Sequence, residues 1–212
     1  MERLKMKITN IALALSIAFA INGHALAAKK EDKKPETLAE MIKDKTEYSG
    51  IFTLYQDEKT GENLMVIDQS QLDTPFVYFA HTVDGVTDAG HFRGAYRETK
   101  LIEFRKYFDR IDIISKTPRY KFDQHSALAR SADANISEAV LASIKIEKEE
   151  DDKIAFNVDK LLISEALHKV SPWPNPDDKN AKKRFKLGKL DDKKSRIVQH
   201  RPYPNNLDIT VD

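Results

Sequence analysis

The stretch IKIEKEEDDKIAFNV, residues 144–158, is the clearest β-hairpin in the sequence. In its first arm Ile144 and Ile146 alternate with lysine and glutamate, and its second arm alternates apolar with smaller or polar residues from 154 to 158. A period of two places the apolar side chains on one face of a strand. The acidic run 149–152 between the arms is typical of a solvated turn. The stretch therefore predicts two antiparallel strands that bury one face.

Similar short patterns recur along the chain, with β-branched and aromatic residues bounded by turn residues. They predict strands at 51–55, 64–67, 76–80, 102–105, 111–113, 196–200 and 207–211. Residues 76–80 (FVYFA) are apolar on both faces, which predicts a central strand. The predicted fold is mainly β with short helices, an α+β class in which antiparallel hairpins form a twisted sheet or a sandwich.

Two helical features are also predicted. The alanine-rich stretch 126–141 favours short helical patches. Asp159 precedes Leu161, Leu162 and Ile163, so its carboxylate is predicted to cap a short helix by accepting from the free amides of the first turn.

The N-terminus has the three parts of a cleavable signal peptide. Residues 1–7 are basic, and 11–21 form an apolar run. Eleven residues are too few to span a bilayer, which takes roughly 20 residues of helix, and this argues against the alternative of a membrane anchor. Ala25 and Ala27 supply the small-x-small pattern, so cleavage is expected before Ala28.

The chain divides by composition into five segments. Residues 1–27 are the predicted signal peptide, and the charge-rich residues 28–48 are a predicted flexible leader with one amphipathic turn. Residues 49–170 form the predicted β-rich domain. Residues 171–194, rich in proline and charge, are a predicted linker or loop. Residues 195–212 are predicted strands of a truncated or continuing domain.

Charge and cysteine content restrict the class of protein. The formal net charge is +1, and removal of the signal peptide with its three basic and one acidic residues leaves about −1. Such a balance provides no field for nucleic acid or an anionic membrane. Because the chain has no cysteine, disulfides and attachment through a lipidated cysteine are excluded. With translation starting at Met1 or Met6, we expect a periplasmic or secreted protein without stable membrane insertion.

The motifs of common catalytic sites are missing from the sequence. It contains no G-x-S-x-G, no glycine-rich phosphate loop and no H-E-x-x-H. His81, Asp84, Asp88 and His91 are metal-ligand types, but their spacing matches no known pattern. We therefore predict no catalytic residue, no metal ligand and no cofactor-binding residue in this chain.

Trp173 is the one candidate contact residue outside the predicted strands. It stands between Pro172 and Pro174 in a stiff segment, where an aromatic ring costs little entropy to present to a ligand or to another domain. The alternative is that this tryptophan pins its own linker onto the sheet.

The order of the segments resembles a known family, the bacterial exported zinc-dependent metalloproteases of metzincin-like type. In that family a β-rich N-terminal domain of unknown function precedes the catalytic domain. The resemblance covers roughly residues 46–212. It is carried by several short stretches of the sequence: 48–55, 64–72, 76–80, 90–94, 101–104, 144–162, 195–197 and 203–206.

The resemblance implies that zinc and the catalytic glutamate belong to a downstream domain, and that no catalytic role transfers to any residue of this chain. It implies a non-catalytic scaffold or cleft-covering domain whose partner is the downstream metalloprotease domain or another protein surface. The alternative is a stand-alone periplasmic β-rich module that binds a peptide or glycan by strand addition. A small enzyme with an unrecognised site is a third hypothesis. We also expect residues 207–211 to form a strand with an uncovered outer edge.

Overall fold

The computed structural model describes residues 37–117, 125, 137–170 and 188–212. These residues belong to one compact unit, Pro35–Asp212.

The described residues form ten strands and two short helices. The helices are α1 (Leu38–Ile42) and α2 (Asp159–Leu162), and single 3-10 turns occur at Gln69–Gln71 and Thr87–Ala89. No helix of the described residues is both long and apolar enough to cross a membrane. The strands are β1 (Lys45–Ser49), β2 (Thr53–Asp57), β3 (Asn63–Asp68), β4 (Pro75–His81), β5 (Tyr96–Tyr107), β6 (Arg110–Lys116), β7 (Ala139–Glu150), β8 (Lys153–Asn157), β9 (Ile197–Tyr203) and β10 (Asn206–Val211).

Eight of the strands form one antiparallel sheet in the order β1-β2-β3-β8-β7-β6-β5-β4. This confirms the predicted β-rich fold class. The long strand β7 joins the two halves, because its first part pairs with β6 and its last part pairs with β8. The hairpin of residues 144–158 therefore lies at the centre of the sheet, with its turn at Asp151 and Asp152.

The sheet curls so that its two ends approach each other around one core. The Phe52 ring, just before β2, lies 4.9 Å from the Phe76 ring of β4, edge to face. Gln71 Nε2 donates to the Ile51 carbonyl over 2.7 Å and adds a polar link between the same two ends. The buried core comes from both halves of the sheet and from the chain after β8: Leu54, Met65, Ile67, Ile102, Phe104, Ile111, Ile113, Ile154, Phe156, Val158, Leu161 and Leu167.

A second, smaller apolar cluster lies under helix α1. Leu38, Met41 and Ile42 of the helix pack on Leu64 and Val66 of β3. The helix begins with a capping box, in which the side chains of Thr37 and Glu40 each accept from the other residue's backbone N–H. The amphipathic turn predicted for the leader is therefore present, but the leader also contains strand β1.

The C-terminal strands β9 and β10 form a separate two-stranded sheet. A polar cluster centred on the buried Asn63 attaches this hairpin to the large sheet. The Asn63 side chain, 1% exposed, donates to Asp159 Oδ1 over 2.8 Å, and its Oδ1 lies 2.8 Å from His200 Nε2. The His200 ring also stacks on Tyr48 of β1, with ring centroids 4.5 Å apart.

The prediction that residues 76–80 form a central strand is wrong. Among the described strands, β4 pairs with β5 alone and lies at the edge of the sheet, with alternate residues exposed. The strand is apolar on both faces, but the face that carries Val77 and Phe79 is exposed to solvent and not buried.

The predicted helical patch is wrong at residues 139–141, which begin strand β7 and pair with β6. Residues 126–136 lie outside the described part of the chain. Asp159 does start a helix, but its carboxylate does not cap it. Asn63 attracts the carboxylate instead, because its backbone N–H and its side-chain amide both donate to Asp159.

Candidate functional site

The open end of the large sheet, at β4 and the start of β5, carries the most unusual surface of the described residues. The side chains of Val77 and Phe79 on β4 are 73% and 47% exposed, and Tyr96 on β5 is 82% exposed. Exposed apolar residues are common singly, but a contiguous group on an edge strand is a feature of interaction surfaces.

The register of the sheet shows which backbone groups of β4 face outward. A two-residue turn, Phe108 and Asp109, joins β5 to β6, so the pair Tyr107 and Arg110 closes the hairpin with hydrogen bonds. Backbone groups alternate in direction along a strand, and therefore Glu98, Lys100, Ile102 and Phe104 point their N–H and C=O groups away from β6, toward β4. The Phe104 carbonyl does accept from Asp73 N over 2.9 Å on that side.

The β4 partners of these residues are Phe76, Tyr78 and Ala80. Their backbone groups are therefore engaged with β5. The alternate residues Val77 and Phe79 point their N–H and C=O groups outward, past the edge of the sheet. Among the described residues, no other strand pairs with this side of β4. The edge thus presents free backbone groups and exposed apolar side chains at the same two positions.

Aromatic rings extend this surface onto the face of the sheet. The Phe79 ring lies 5.7 Å from His81 at an interplanar angle of 25°, and 5.5 Å from Tyr96 at 65°. Tyr96 is the partner of His81 across the strands. We call Val77, Phe79, His81 and Tyr96 the aromatic platform.

Two features limit the length of the open edge. Pro75 at the start of β4 has no N–H to donate. Near the other end, the register with β5 shifts between Ala80 and His81, which marks a bulge. Natural edge strands use both devices to prevent continuous pairing with other chains. The length available for pairing is therefore short and centred on Tyr78.

The opposite face of the same strands borders a polar groove of about 290 Å³. Its floor includes Glu98 and Lys100 of β5, and its wall is the segment 165–170. Lys100 Nζ donates to the Leu167 carbonyl over 2.6 Å and pairs with Glu98 over 2.8 Å. Leu167 itself is buried in the core, so the wall is fixed to the sheet at this point.

A second contact fixes the wall through His168. Its Nδ1 lies 2.6 Å from the Tyr78 hydroxyl. Burial, with the nearby Glu98 charge, raises the pKa of Tyr78 to about 12. Burial, followed by the Lys100 charge, lowers the pKa of His168. At neutral pH the Tyr78 hydroxyl is therefore protonated and the His168 imidazole is neutral, and the two groups share a hydrogen bond.

The loop between β4 and β5 is held by Arg97. Its guanidinium donates to Thr82 Oγ1, to the Gly90 carbonyl and to His91 Nδ1, at 2.6, 2.9 and 2.7 Å. Since Nδ1 accepts from a cation, the imidazole of His91 is neutral. Burial, followed by the Arg97 charge, lowers the pKa of His91 accordingly. The close approach of Gly85 to His91 completes the packing, because a Cβ at Gly85 would lie 2.8 Å from the His91 Cβ.

The structure separates the four metal-ligand types that the sequence brought together. His81 belongs to the aromatic platform, Asp84 pairs with Arg93 over 2.9 Å, and His91 is buried against Arg97. Asp88 lies in the 3-10 turn Thr87–Ala89. Over the part of the chain that is described, no three histidine or acidic residues are grouped to hold a metal ion.

The other site residues predicted from the sequence lie outside the described residues. These are Ala25, Ala27 and Ala28 at the expected signal cleavage site, and Trp173. The aromatic platform was not predicted. The apolar run FVYFA at 76–80 is the part of the sequence that indicates this surface, but such a run is equally typical of a central strand. Tyr96 is distant from the run in the sequence, so the pattern does not include it.

Comparison with known proteins gives one match. Residues 94–212, more than half of the chain, match the family model described as a domain of unknown function, DUF5117. A search of curated proteins and a search of solved structures each found no match. The matched region runs from the start of β5 to the end of β10 and includes Tyr96, the polar groove and the C-terminal hairpin. The chain therefore belongs to the DUF5117 family of domains of unknown function.

Proposed function

We propose that this chain is the non-catalytic N-terminal scaffold or cleft-covering domain of an exported zinc-dependent metalloprotease. Its contact with the catalytic part is made through the open edge of β4. One observation carries this proposal: the outward backbone groups of Val77 and Phe79 coincide with their exposed side chains. The resemblance of residues 46–212 to such enzymes supplies the partner.

Strand addition gives this contact its affinity and its selectivity. An extended segment beside β4 accepts and donates hydrogen bonds at Val77 and Phe79, whatever its own sequence. Selectivity comes from alternate side chains of the segment, which lie over the aromatic platform on one face. Residues 75–80 carry no charged side chain, so the matching segment is apolar at alternate positions and has no charge opposite Val77 and Phe79.

The other face of β4 positions the wall of the groove. Tyr78 and Lys100 hold the segment 165–170, so a strand added at the edge would lie beside this wall as well as beside the platform. In this proposal zinc and the hydrolytic step belong to the catalytic domain. The present chain contributes alignment and shielding, and it is exported through the predicted signal peptide.

The first test is the reading frame downstream of codon 212. We expect it to continue into a domain that contains H-E-x-x-H. A stop codon at that point would contradict the proposal, because the zinc-binding part would then not be joined to this domain.

The second test is hydrogen exchange in the longer protein and in the 212-residue chain. We expect the amides of Val77 and Phe79 to exchange more slowly in the longer protein, because a strand pairs with them there. The amide of Tyr78 is already bonded to β5 and serves as the internal control. Equal exchange at Val77 and Phe79 in both proteins would contradict docking at this edge.

A stand-alone peptide-binding module is the second candidate, and the same open edge supports it. In that case a separate extended peptide occupies β4. A stop codon after residue 212, together with saturable binding of apolar strand-forming peptides that Val77→Lys abolishes, would favour this function over the first. Glycan binding through Trp173 remains a prediction from the sequence.

A further inference from the structure

The open edge of β4 is complementary to itself. Its outward backbone groups belong to Val77 and Phe79, which are placed symmetrically about Tyr78. When two such edges run antiparallel about a two-fold axis through Tyr78, Val77 of one copy stands opposite Phe79 of the other. Each of these two pairs exchanges both N–H···O bonds, so the arrangement makes four backbone hydrogen bonds.

The side chains on this edge agree with that register. Val77 and Phe79 lie on the exposed face, so the contact places valine against phenylalanine twice. On the other face Tyr78 meets its own symmetry mate, and Phe76 meets Ala80. No charged side chain of residues 75–80 faces a like charge, which would oppose pairing. Tyr96, 82% exposed beside His81, adds aromatic surface at both ends of the contact.

The same edge limits the association to two copies. Pro75 and the bulge at Ala80 and His81 end the pairing on either side of the short central stretch. At the far end of the sheet, β1 is charged and contacts the C-terminal hairpin through Tyr48 and His200. A two-fold pair at β4 therefore closes on itself, and the charged edge at β1 offers no matching apolar strand to extend the large sheet.

We propose that β4 of one copy pairs with β4 of a second copy about a two-fold axis at Tyr78, forming a dimer through a continuous sheet. The inference rests on the proposed function in one respect, that this edge accepts a strand. The dimer then covers the edge until the metalloprotease segment replaces the second copy, so dimerisation and docking compete.

Sedimentation equilibrium of the purified chain over micromolar to millimolar concentration measures the dimer directly. We expect a reversible monomer–dimer equilibrium. Val77→Lys places two ammonium groups beside apolar surface at the contact, and we expect the dissociation constant to rise at least about tenfold, or about 1.4 kcal/mol. Val140→Lys is the matched control: Val140 is an exposed strand valine on β7, away from β4, and its replacement should leave the dimer unchanged.

Cysteine cross-linking tests the register, and the chain has no native cysteine to interfere. We expect a mixture of the Val77→Cys and Phe79→Cys variants to form a disulfide-linked heterodimer, because directly opposite residues bring their Cα atoms within disulfide range. Each variant alone should cross-link far less. Cross-linking of Val77→Cys with itself in preference to the mixture would overturn the register centred on Tyr78.

A chain that stays monomeric throughout, or a dimer unaffected by Val77→Lys, would overturn the inference. The failure of the proposed function is distinguishable from this. If the chain is monomeric, but the longer protein contains H-E-x-x-H and protects the Val77 amide, the proposed function is supported and the dimer is rejected. If the dimer depends on Val77 and a stop codon follows residue 212, the dimer is supported and the metalloprotease function is rejected.

Discussion

The two edges of the eight-stranded sheet are protected in opposite ways. At β1 the exposed positions are polar or charged, and Lys45 pairs with Asp57 of the neighbouring strand over 3.1 Å. The C-terminal hairpin also packs there, since Ile51 N donates to the Tyr203 carbonyl over 2.8 Å. At β4 the exposed positions are apolar, and no described strand covers them. The β1 edge is protected by charged residues and by the C-terminal hairpin, whereas β4 is protected only at its two ends.

This difference separates an edge that stabilises the domain from the edge that we propose as a binding surface. Charge on β1 disfavours pairing with another chain, and the hairpin adds a stabilising contact. Val77 and Phe79 give the isolated domain little, because they remain exposed. Their value arises when another strand is present. The predictions below disturb the covered edge first and the open edge last.

The largest effect is expected from Asn63→Ala. Asn63 joins β3 to Asp159 and to His200 of the hairpin. Truncation to alanine removes the side-chain donor to Asp159 Oδ1 and the oxygen that faces His200 Nε2, while the backbone N–H of residue 63 still donates to Asp159. We expect the free energy of unfolding to fall by about 2–4 kcal/mol in urea denaturation. Asn206→Ala is the control, because Asn206 is an exposed residue at the start of β10 whose side chain bonds only Asp208 over 2.7 Å among the described contacts. Its effect should stay within about 0.5 kcal/mol.

Gly50→Ala is expected to disturb the covered edge directly. A Cβ at Gly50 would lie 2.8 Å from the Tyr203 carbonyl oxygen and 2.9 Å from the Pro202 Cβ. Neither group can rotate away, so the hairpin must shift, at a loss of about 1–3 kcal/mol in thermal or urea unfolding. Ser49→Ala, one position earlier and exposed, is the control. Equal stability of the two variants would show that the hairpin moves freely over β1.

Acid pH should lower the free energy of unfolding, with His200 as the contribution from the covered edge. Burial lowers the pKa of His200, although the Asp159 charge opposes the shift, and the pKa values of His91 and His168 are also lowered. The unfolded chain therefore binds more protons than the folded chain once pH falls below the ordinary histidine pKa of 6.5. The free energy of unfolding should be flat above this range and should decrease as pH falls through it.

Urea denaturation between pH 8 and pH 5 measures this dependence. His200→Gln keeps an N–H donor for Asn63 Oδ1 and removes the titrating group. We expect this variant to lose less stability than the native chain over the same pH range. An identical pH dependence in both proteins would exclude His200 as a contributor.

The smallest effect on stability is expected at the open edge. Phe79→Lys should change the free energy of unfolding by no more than about 0.5 kcal/mol, because the Phe79 side chain is largely exposed. Tyr48→Lys, the matched change at the covered edge, removes the stack on His200 and should cost more. Urea denaturation at low protein concentration compares the two. A larger loss at Phe79 than at Tyr48 would reverse the proposed roles of the two edges.

The sequence predicted the hairpins well where period-two alternation coincides with a clear turn. Residues 144–158 and the strands around 202–206 are of this kind, and both hairpins are present. Prediction was wrong where composition allowed two readings. Residues 139–141 have the small side chains of a helical patch, yet they pair with β6 to complete the long strand β7. Pairing across the sheet outweighed local preference there.

The candidate site shows the same division. The apolar run at 76–80 was visible in the sequence, but its position at an edge was not, because an exposed apolar face and a buried one have the same composition. Tyr96 lies next to this run because it pairs with His81 across the two strands, and the short sequence patterns do not predict which residues pair. The neutral state of His168 likewise depends on burial and on Lys100, which is distant in the chain.

By itself, the sequence determined most of the local structure: which stretches are extended, and where the acidic and proline-containing turns lie. These properties follow from side-chain period and composition, which are local. Tertiary structure alone decided which strand became the edge, which backbone groups remained unpaired, and that Asp159 binds Asn63 rather than its own helix. The physical reason is that hydrogen bonds and burial in a sheet are set by partners far away in the chain.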